Sequence, residues 1–222
     1  MPVAVINRVP NDNCVLGVLE VAGGAVRDAS DELRGECDAV AARVGRDDYV
    51  IPEDRRSAVR RLLKTGGFSP TGRNRPAQEL LVRDLQERGG FHYINNVVDV
   101  NNLVSLESLL PISIFDTAKL EGPLIVRVAV EDEGYVFNQS GQYMDLKRSI
   151  VCCTGADPGR PVGSPVKDSM ETKVFEGCTG YLGVIYGTLE AWTRGEIEGH
   201  TRRMAELLAR ETGGEIMQVS LA

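Results

Sequence analysis

The side chains best placed by type and spacing to handle a ligand fall between Ile94 and Gly122. Asp99, Asn101, Asn102, Ser113 and Asp116 interleave there with valines, leucines and Phe115. A buried polar group must find a partner or cost about 1–3 kcal/mol. Amides and carboxylates mixed so closely with apolar surface therefore predict a pocket wall rather than plain core. Asn101 and Asn102 read either as functional amides or as helix caps. Asp116 reads either as a site carboxylate or as an aspartate closing a turn through its own backbone.

Other chemistries find little support. There is no glycine-rich phosphate loop ending in Lys-Ser or Lys-Thr, no G-x-S-x-G elbow and no His-Glu-x-x-His motif. His92 reads as a structural residue at a strand entry, and His200 falls on the polar face of the last helix. Cys14, Cys37, Cys152, Cys153 and Cys178 are odd in number and lack paired metal-ligand spacing. They predict reduced core thiols, with no disulfide framework, no metal and no cofactor. Adjacent Cys152 and Cys153 are expected on opposite faces of a strand, where side chains alternate.

A net charge of -7 argues against a surface that binds nucleic acid everywhere, because cations supply the affinity for phosphates. Arg55, Arg56, Arg60, Arg61, Lys64, Arg73 and Arg75 nevertheless concentrate positive charge in one short stretch. They read either as a binding surface or as a solvated helix face with Glu53 and Asp54 at its favourable N-terminal end. No run approaches the roughly 20 apolar residues that span a bilayer. The N-terminus lacks a basic segment followed by an apolar core, so a cytoplasmic protein without membrane contact is expected.

Elements of both kinds must position these residues. The run CVLGVLEVA over 14–22 predicts a buried strand, and Val26, Ala29, Leu33, Cys37, Val40 and Val44 then recur at helical spacing. Pro52 and Gly66-Gly67 bracket a second helix, Pro76 and Gly89-Gly90 a third. A short leucine-rich helix, a Pro-Ile-Ser turn at 111–113 and Phe115-Asp116 follow. Strands are predicted over 123–130, 149–153 and 181–187, then a helix from about 196 to 212 and a terminal strand, EIMQVS. The 222 residues suit one domain, or two intimate lobes of about 1–122 and 123–222.

Several spaced stretches share one resemblance. Tyr93 to Asp99, Val100-Asn101-Asn102, the Leu-Pro-Ile-Ser run at 110–113, Phe115-Asp116 and Leu120-Glu121-Gly122 occur in order after the helix from Pro76 to Arg88. Further on comes Gly163-Ser164-Pro165-Val166-Lys167-Asp168-Ser169-Met170-Glu171-Thr172. Across about residues 10 to 218 the chain resembles the B3/B4 domain of the phenylalanyl-tRNA synthetase beta subunit, and more closely free-standing B3/B4 proteins. The resemblance implies an α+β fold of mixed, mainly antiparallel sheets with helices packed around a central pocket. It also implies RNA binding and editing-like hydrolysis of mischarged aminoacyl-tRNA in trans, with the aminoacylated 3′ end of tRNA as partner and no DNA.

That reading assigns roles. Asn101, Asn102 and Asp168 would be catalytic, the amides orienting substrate or oxyanion and Asp168 holding the ammonium or assisting a water. Ser113, Phe115, Asp116, Ser164, Ser169 and Thr172 would bind substrate, although Asp168, Ser169 and Thr172 equally suit helix or turn caps. Arg55, Arg56, Arg60, Arg61, Arg73 and Arg75 would grip the acceptor stem. Ser113 stands where the synthetase domains place a histidine, and the strand YLGVIYG carries no carboxylate where they place a glutamate. A non-catalytic module binding tRNA or an amino-acid-like ligand, and a small-molecule hydrolase, are therefore kept as alternatives. The amino acid, the tRNA and the oligomeric state are not encoded in these patterns.

Overall fold

The computed structural model describes residues 1–222 as three layers: helices, a four-stranded sheet and a second four-stranded sheet. In chain order the elements are β1 (Val5–Asn7), β2 (Cys14–Ala22), α1 (Asp31–Val44), α2 (Glu53–Leu63), α3 (Ala77–Arg88), α4 (Asn96–Ser108) and β3 (Ile112–Asp116). Then come β4 (Leu124–Val128), β5 (Gly134–Val136), β6 (Tyr143–Asp145), β7 (Ile150–Thr154), β8 (Arg160–Gly163), β9 (Gly180–Thr188), α5 (Arg194–Thr212) and β10 (Glu215–Leu221). The middle sheet runs β10-β2-β9-β3 and is antiparallel throughout. The outer sheet runs β1-β4-β7-β8, with only the β1-β4 pair parallel, and β5-β6 is a separate hairpin. Each sheet draws strands from both halves of the chain.

The long strands β2 and β9 pair along their whole length, Cys14 opposite Thr188 and Ala22 opposite Gly180. Both are nearly continuous apolar runs because both of their faces are covered. Val15, Leu19, Val21, Tyr181 and Ile185 join the helices in the larger core. Leu16, Val18, Leu182, Val184 and Tyr186 pack against Leu124, Val126, Cys152 and Val162 between the two sheets. Cys152 and Cys153 do point to opposite faces, one into each core, and all five cysteines are free thiols.

The helices begin and end on local signals. The Ser30 side chain accepts the Leu33 N–H, so α1 starts at Asp31 and leaves Val26 and Ala29 in the loop before it. Gly89 adopts a left-handed conformation after α3, and Thr193 with Glu196 closes a capping box on α5. Two local expectations fail. No strand begins near His92, which sits in the loop entering α4, and residues 112–116 form a strand where the Pro-Ile-Ser run predicts a turn. The alternating residues of β3 find a partner in β9, with Ser113 opposite Val184 and Phe115 opposite Leu182. No helix is long and apolar enough to cross a membrane.

Candidate functional site

A cleft of about 980 Å³ opens between α4, the end of β3, the β5-β6 hairpin loop and the segment from Lys167 to Phe175. Asn101, Ile114, Asp168 and Lys173 line its interior; Ile94, Phe137 and Phe175 stand around it. A shallower groove of about 450 Å³ between α3 and α4 shares Asn101 as a wall and is also lined by Asn102.

Asp168 is carried on a loop that folds back from β8. Ser164 closes that loop, its hydroxyl donating to the Lys167 carbonyl (2.9 Å) and accepting the Lys167 N–H (3.3 Å). Gly163 makes the approach possible, since a Cβ there would lie 2.5 Å from the Phe115 ring and 2.6 Å from Asp168 Oδ1. The carboxylate receives Ser113 Oγ on Oδ1 at 2.6 Å, together with the N–H groups of Ser164 and Ile114, each at 3.3 Å. Burial nevertheless pushes its carboxyl up to about 7, while those hydrogen bonds and the charge of Lys173 pull the other way.

Behind Asp168 lies a buried chain of polar groups. Ser113 Oγ is 2.9 Å from the Tyr186 hydroxyl, which is 3.0 Å from Cys152 Sγ. Each hydroxyl or thiol has one proton. With Ser113 donating to the carboxylate, Tyr186 donates to Ser113 and Cys152 to Tyr186, so the donors run toward Asp168. Burial holds Tyr186 and Cys152 well above their ordinary ranges, so both stay protonated as that chain requires.

Asn101 and Asn102 lie inside α4, and neither caps it. Asn95 is the cap, its side chain accepting the N–H groups of Val97 and Val98. Asn101 is buried; its Nδ2 donates to Asn102 Oδ1 at 3.3 Å, and its Oδ1 has no partner. Buried polar groups are normally paired, so the unpaired Oδ1 beside the cleft is an exception. Asp99, also buried, accepts the Ile94 N–H at 2.9 Å, and burial pushes its carboxyl up to about 6. It holds the loop that carries Ile94.

The remaining expected substrate contacts are turned inward. Ser113 and Phe115 are fully buried and do not line the cleft. Asp116 accepts the Ala118 N–H and the Cys178 thiol, Ser169 accepts the Glu171 N–H, and Thr172 donates to the Val162 carbonyl. Asp116 and Ser169 thus act as turn caps, and Ser164 as a loop closure.

The basic stretch divides. Arg60 makes a bidentate pair with Glu79 (2.7 and 2.6 Å), Arg61 pairs with Glu190, Arg56 with Glu53, and Arg55 with Glu196 while lying over the Trp192 ring. These four are largely neutralised within the chain. Arg73 and Arg75 have no acidic partner. Lys167 and Lys173, which lie outside that stretch in sequence, stand in the cleft instead. Lys167 Nζ lies 4.1 Å from the Phe137 ring centroid, and Lys173 Nζ donates to the Phe137 carbonyl at 2.6 Å. Phe137 and Phe175 come from loops far apart in sequence, so no local pattern joins them to the site. No group of three or more His, Cys, Asp or Glu side chains converges to hold a metal ion.

A family model for the B3/4 domain matches residues 68–183, just over half of the chain. The phenylalanine–tRNA ligase beta subunit of Dickeya dadantii (strain 3937) is 35% identical over 130 residues, 58% of this chain and 16% of that one. Its counterpart in Vibrio cholerae serotype O1 is 43% identical over 54 residues, 24% of this chain and 7% of that one. The matched region thus spans a small fraction of the length of these curated relatives. A crystal structure of an N-terminal fragment of the phenylalanyl-tRNA synthetase beta subunit from Pyrococcus horikoshii aligns over 96% of this chain and 50% of that one. It does so at 14% identity and a TM-score of 0.44.

Proposed function

The chain belongs to the B3/4 domain family, and on that premise we propose that it hydrolyses the ester of mischarged aminoacyl-tRNA in trans. The observation that carries this reading is Asp168, a carboxylate facing the cleft whose carboxyl is pushed up to about 7. A general base works best when its own proton affinity lies near the working pH.

The reaction balances with the groups present. Asp168 takes a proton from a water as the water oxygen bonds to the ester carbonyl carbon. The tetrahedral adduct then expels the ribose oxygen, which receives that proton from Asp168, leaving free amino acid and an uncharged 3′ end. Asn101 lines the cleft and its Oδ1 has no partner, so a turn of this side chain toward the cleft would give the α-ammonium of the aminoacyl group an acceptor. An aminoacyl ester is already activated, so positioning and charge stabilisation carry much of the rate.

The direct test is a deacylation panel. Purified protein is expected to release amino acid from at least one mischarged tRNA, and no release across a broad panel would sink the reading. Asn101→Ala is expected to slow release roughly 10- to 150-fold, mainly through KM, because a charged donor loses an acceptor worth about 1.5–3 kcal/mol.

Ser113 acts as a positioning residue. Its hydrogen bond lowers the Asp168 carboxyl against the effect of burial, so Ser113→Ala is expected to move the pH–rate midpoint upward by about one unit. The Tyr186 hydroxyl would also lose an acceptor, costing about 1–3 kcal/mol of stability. An unmoved midpoint in a folded variant would leave Ser113 a purely structural role.

A second reading is a non-catalytic module that binds tRNA or an amino-acid-like ligand. It is favoured by one observation: Ser113 is the only side chain hydrogen-bonded to Asp168, so no second carboxylate or imidazole shares its proton transfer. Calorimetric binding without ester turnover would decide for it.

A further inference from the structure

The two four-stranded sheets end in the edge strands β1, β8, β10 and β3, and an open edge is a template for pairing unless something blunts it. Three are blunted. The Ile114 N–H of β3 is taken by the Asp168 carboxylate. β8 carries Arg160 and Pro161, and its Val162 carbonyl accepts the Ser169 N–H. β1 is three residues long. β10 differs: it runs seven residues, Glu215–Leu221, with no proline and with Glu215 as its one charged side chain. Ile216 and Met217 on it are exposed. A bulge between Ile216 and Gln218 bends its start and leaves Gln218 to Leu221 in regular register with β2.

The ladder fixes which groups of β10 are open. Leu16 and Ala222 exchange both of their main-chain hydrogen bonds, and antiparallel pairs alternate between bonded and non-bonded. Ser220 and Gln218 therefore bond inward to β2, and the N–H and C=O groups of Val219 and Leu221 point out of the sheet. The side chains sort as well. Val219 and Leu221 pack on the helical core, so Gln218 and the exposed Ser220 lie on the opposite face.

We propose that β10 pairs antiparallel with β10 of a second copy of this chain, about a two-fold axis at Ser220, joining two four-stranded sheets into one of eight. In that register Val219 of one copy meets Leu221 of the other, their open groups bond to each other, and the two-fold repeats the pair. Apolar side chains meet on the helical face, and Ser220 meets Ser220 on the other. A parallel pairing would set two Glu215 carboxylates side by side in a chain of net charge -7; the antiparallel one sends them to opposite ends of the joint ladder. The cleft lies beside β3, at the far edge of the sheet, so both clefts stay open.

The test is sedimentation velocity of the full chain over a range of concentrations, where a dimer in exchange with monomer is expected. Val219→Pro removes one outward donor per copy, a donor that β2 does not use. It is expected to raise the dimer dissociation constant roughly 5- to 150-fold, the effect of two lost hydrogen bonds. Ser220→Lys, at an exposed position that leaves the core untouched, sets like charges directly opposite each other and is expected to weaken the dimer as well. Ser220→Cys reads the register. A non-bonded antiparallel pair brings its Cα atoms to about 4.5 Å, inside the range of about 4.4–6.8 Å that a disulfide spans. Oxidation with diamide is therefore expected to cross-link Ser220→Cys into dimers and to leave Gln218→Cys uncross-linked, its two copies lying more than about 13 Å apart. A monomer at every concentration would overturn the proposal and leave the edge to a strand of another protein. A dimer indifferent to Val219→Pro and Ser220→Lys, and not cross-linked through position 220, would overturn it too. Neither result touches the deacylase reading, since β10 takes no part in the cleft.

Discussion

Asp168→Asn is expected to cut the release of amino acid from mischarged tRNA by about 10²- to 10⁴-fold, the range contributed by a positioned general base. Asparagine keeps the shape of the side chain and one acceptor for Ser113 but cannot take a proton from water. The pH dependence gives the sharper check. The carboxyl lies at about 7, and the base must be ionised, so the rate of the unaltered protein should fall about 10-fold per unit as pH drops below that value. The Asn variant should be flat over the same span. Single-turnover rates between about pH 5 and pH 8 measure both. A flat profile in the unaltered protein, or a fully active Asn variant, would exclude Asp168 as the base. The same carboxyl bears on folding: because its proton is held more tightly folded than unfolded, its contribution to stability is full below about pH 4. That contribution is lost as pH rises through about 7.

Much of the scaffold was legible in the sequence because it rests on local signals. The apolar runs of β2 and β9 and the caps and glycine stops around α1, α3 and α5 need no knowledge of distant partners. The strand β3 was not legible, because a short segment beginning beside Pro111 becomes a strand only by pairing with β9, far along the chain. Missing that strand also misplaced its side chains. Alternation along β3 turns Ile112 and Ile114 toward the helical layer and the cleft, and sends Ser113 and Phe115 to the opposite face. The ion pairs of the arginine stretch were hidden for a related reason. Its density is visible in sequence, but Glu79, Glu190 and Glu196 arrive from other elements to neutralise it. Asn101 could be picked out as a polar group in apolar surroundings, and Asp168 through the resemblance carried by residues 163–172. The cationic and aromatic rim could not, because Phe137 and Phe175 meet only in three dimensions.

Phe115→Ala is the substitution expected to cost the fold most. A ring to which the family resemblance assigns substrate binding is fully buried in the core between the sheets, with Leu124, Val162 and Leu182. Removing it forfeits buried apolar surface and leaves a cavity that two hydrogen-bonded sheets cannot close. Large-to-small changes of this kind cost about 3–5 kcal/mol, against a total stability of about 5–15 kcal/mol for a domain. For a chain of this size that lowers Tm by roughly 10 °C. Phe115→Leu keeps most of the volume and should cost less than half as much. Thermal unfolding read beside steady-state kinetics distinguishes the two roles. A core residue lowers Tm and leaves KM for aminoacyl-tRNA within about twofold at temperatures where the variant is folded, since its side chain never meets the substrate. A residue that touches substrate would raise KM and leave Tm in place. Phe115 also bears on the site, because its ring lies where a Cβ on Gly163 would fall, beside Asp168 Oδ1. The Ala variant therefore gives the Asp168 loop room to move, and any loss of rate below the new Tm should appear in kcat rather than KM.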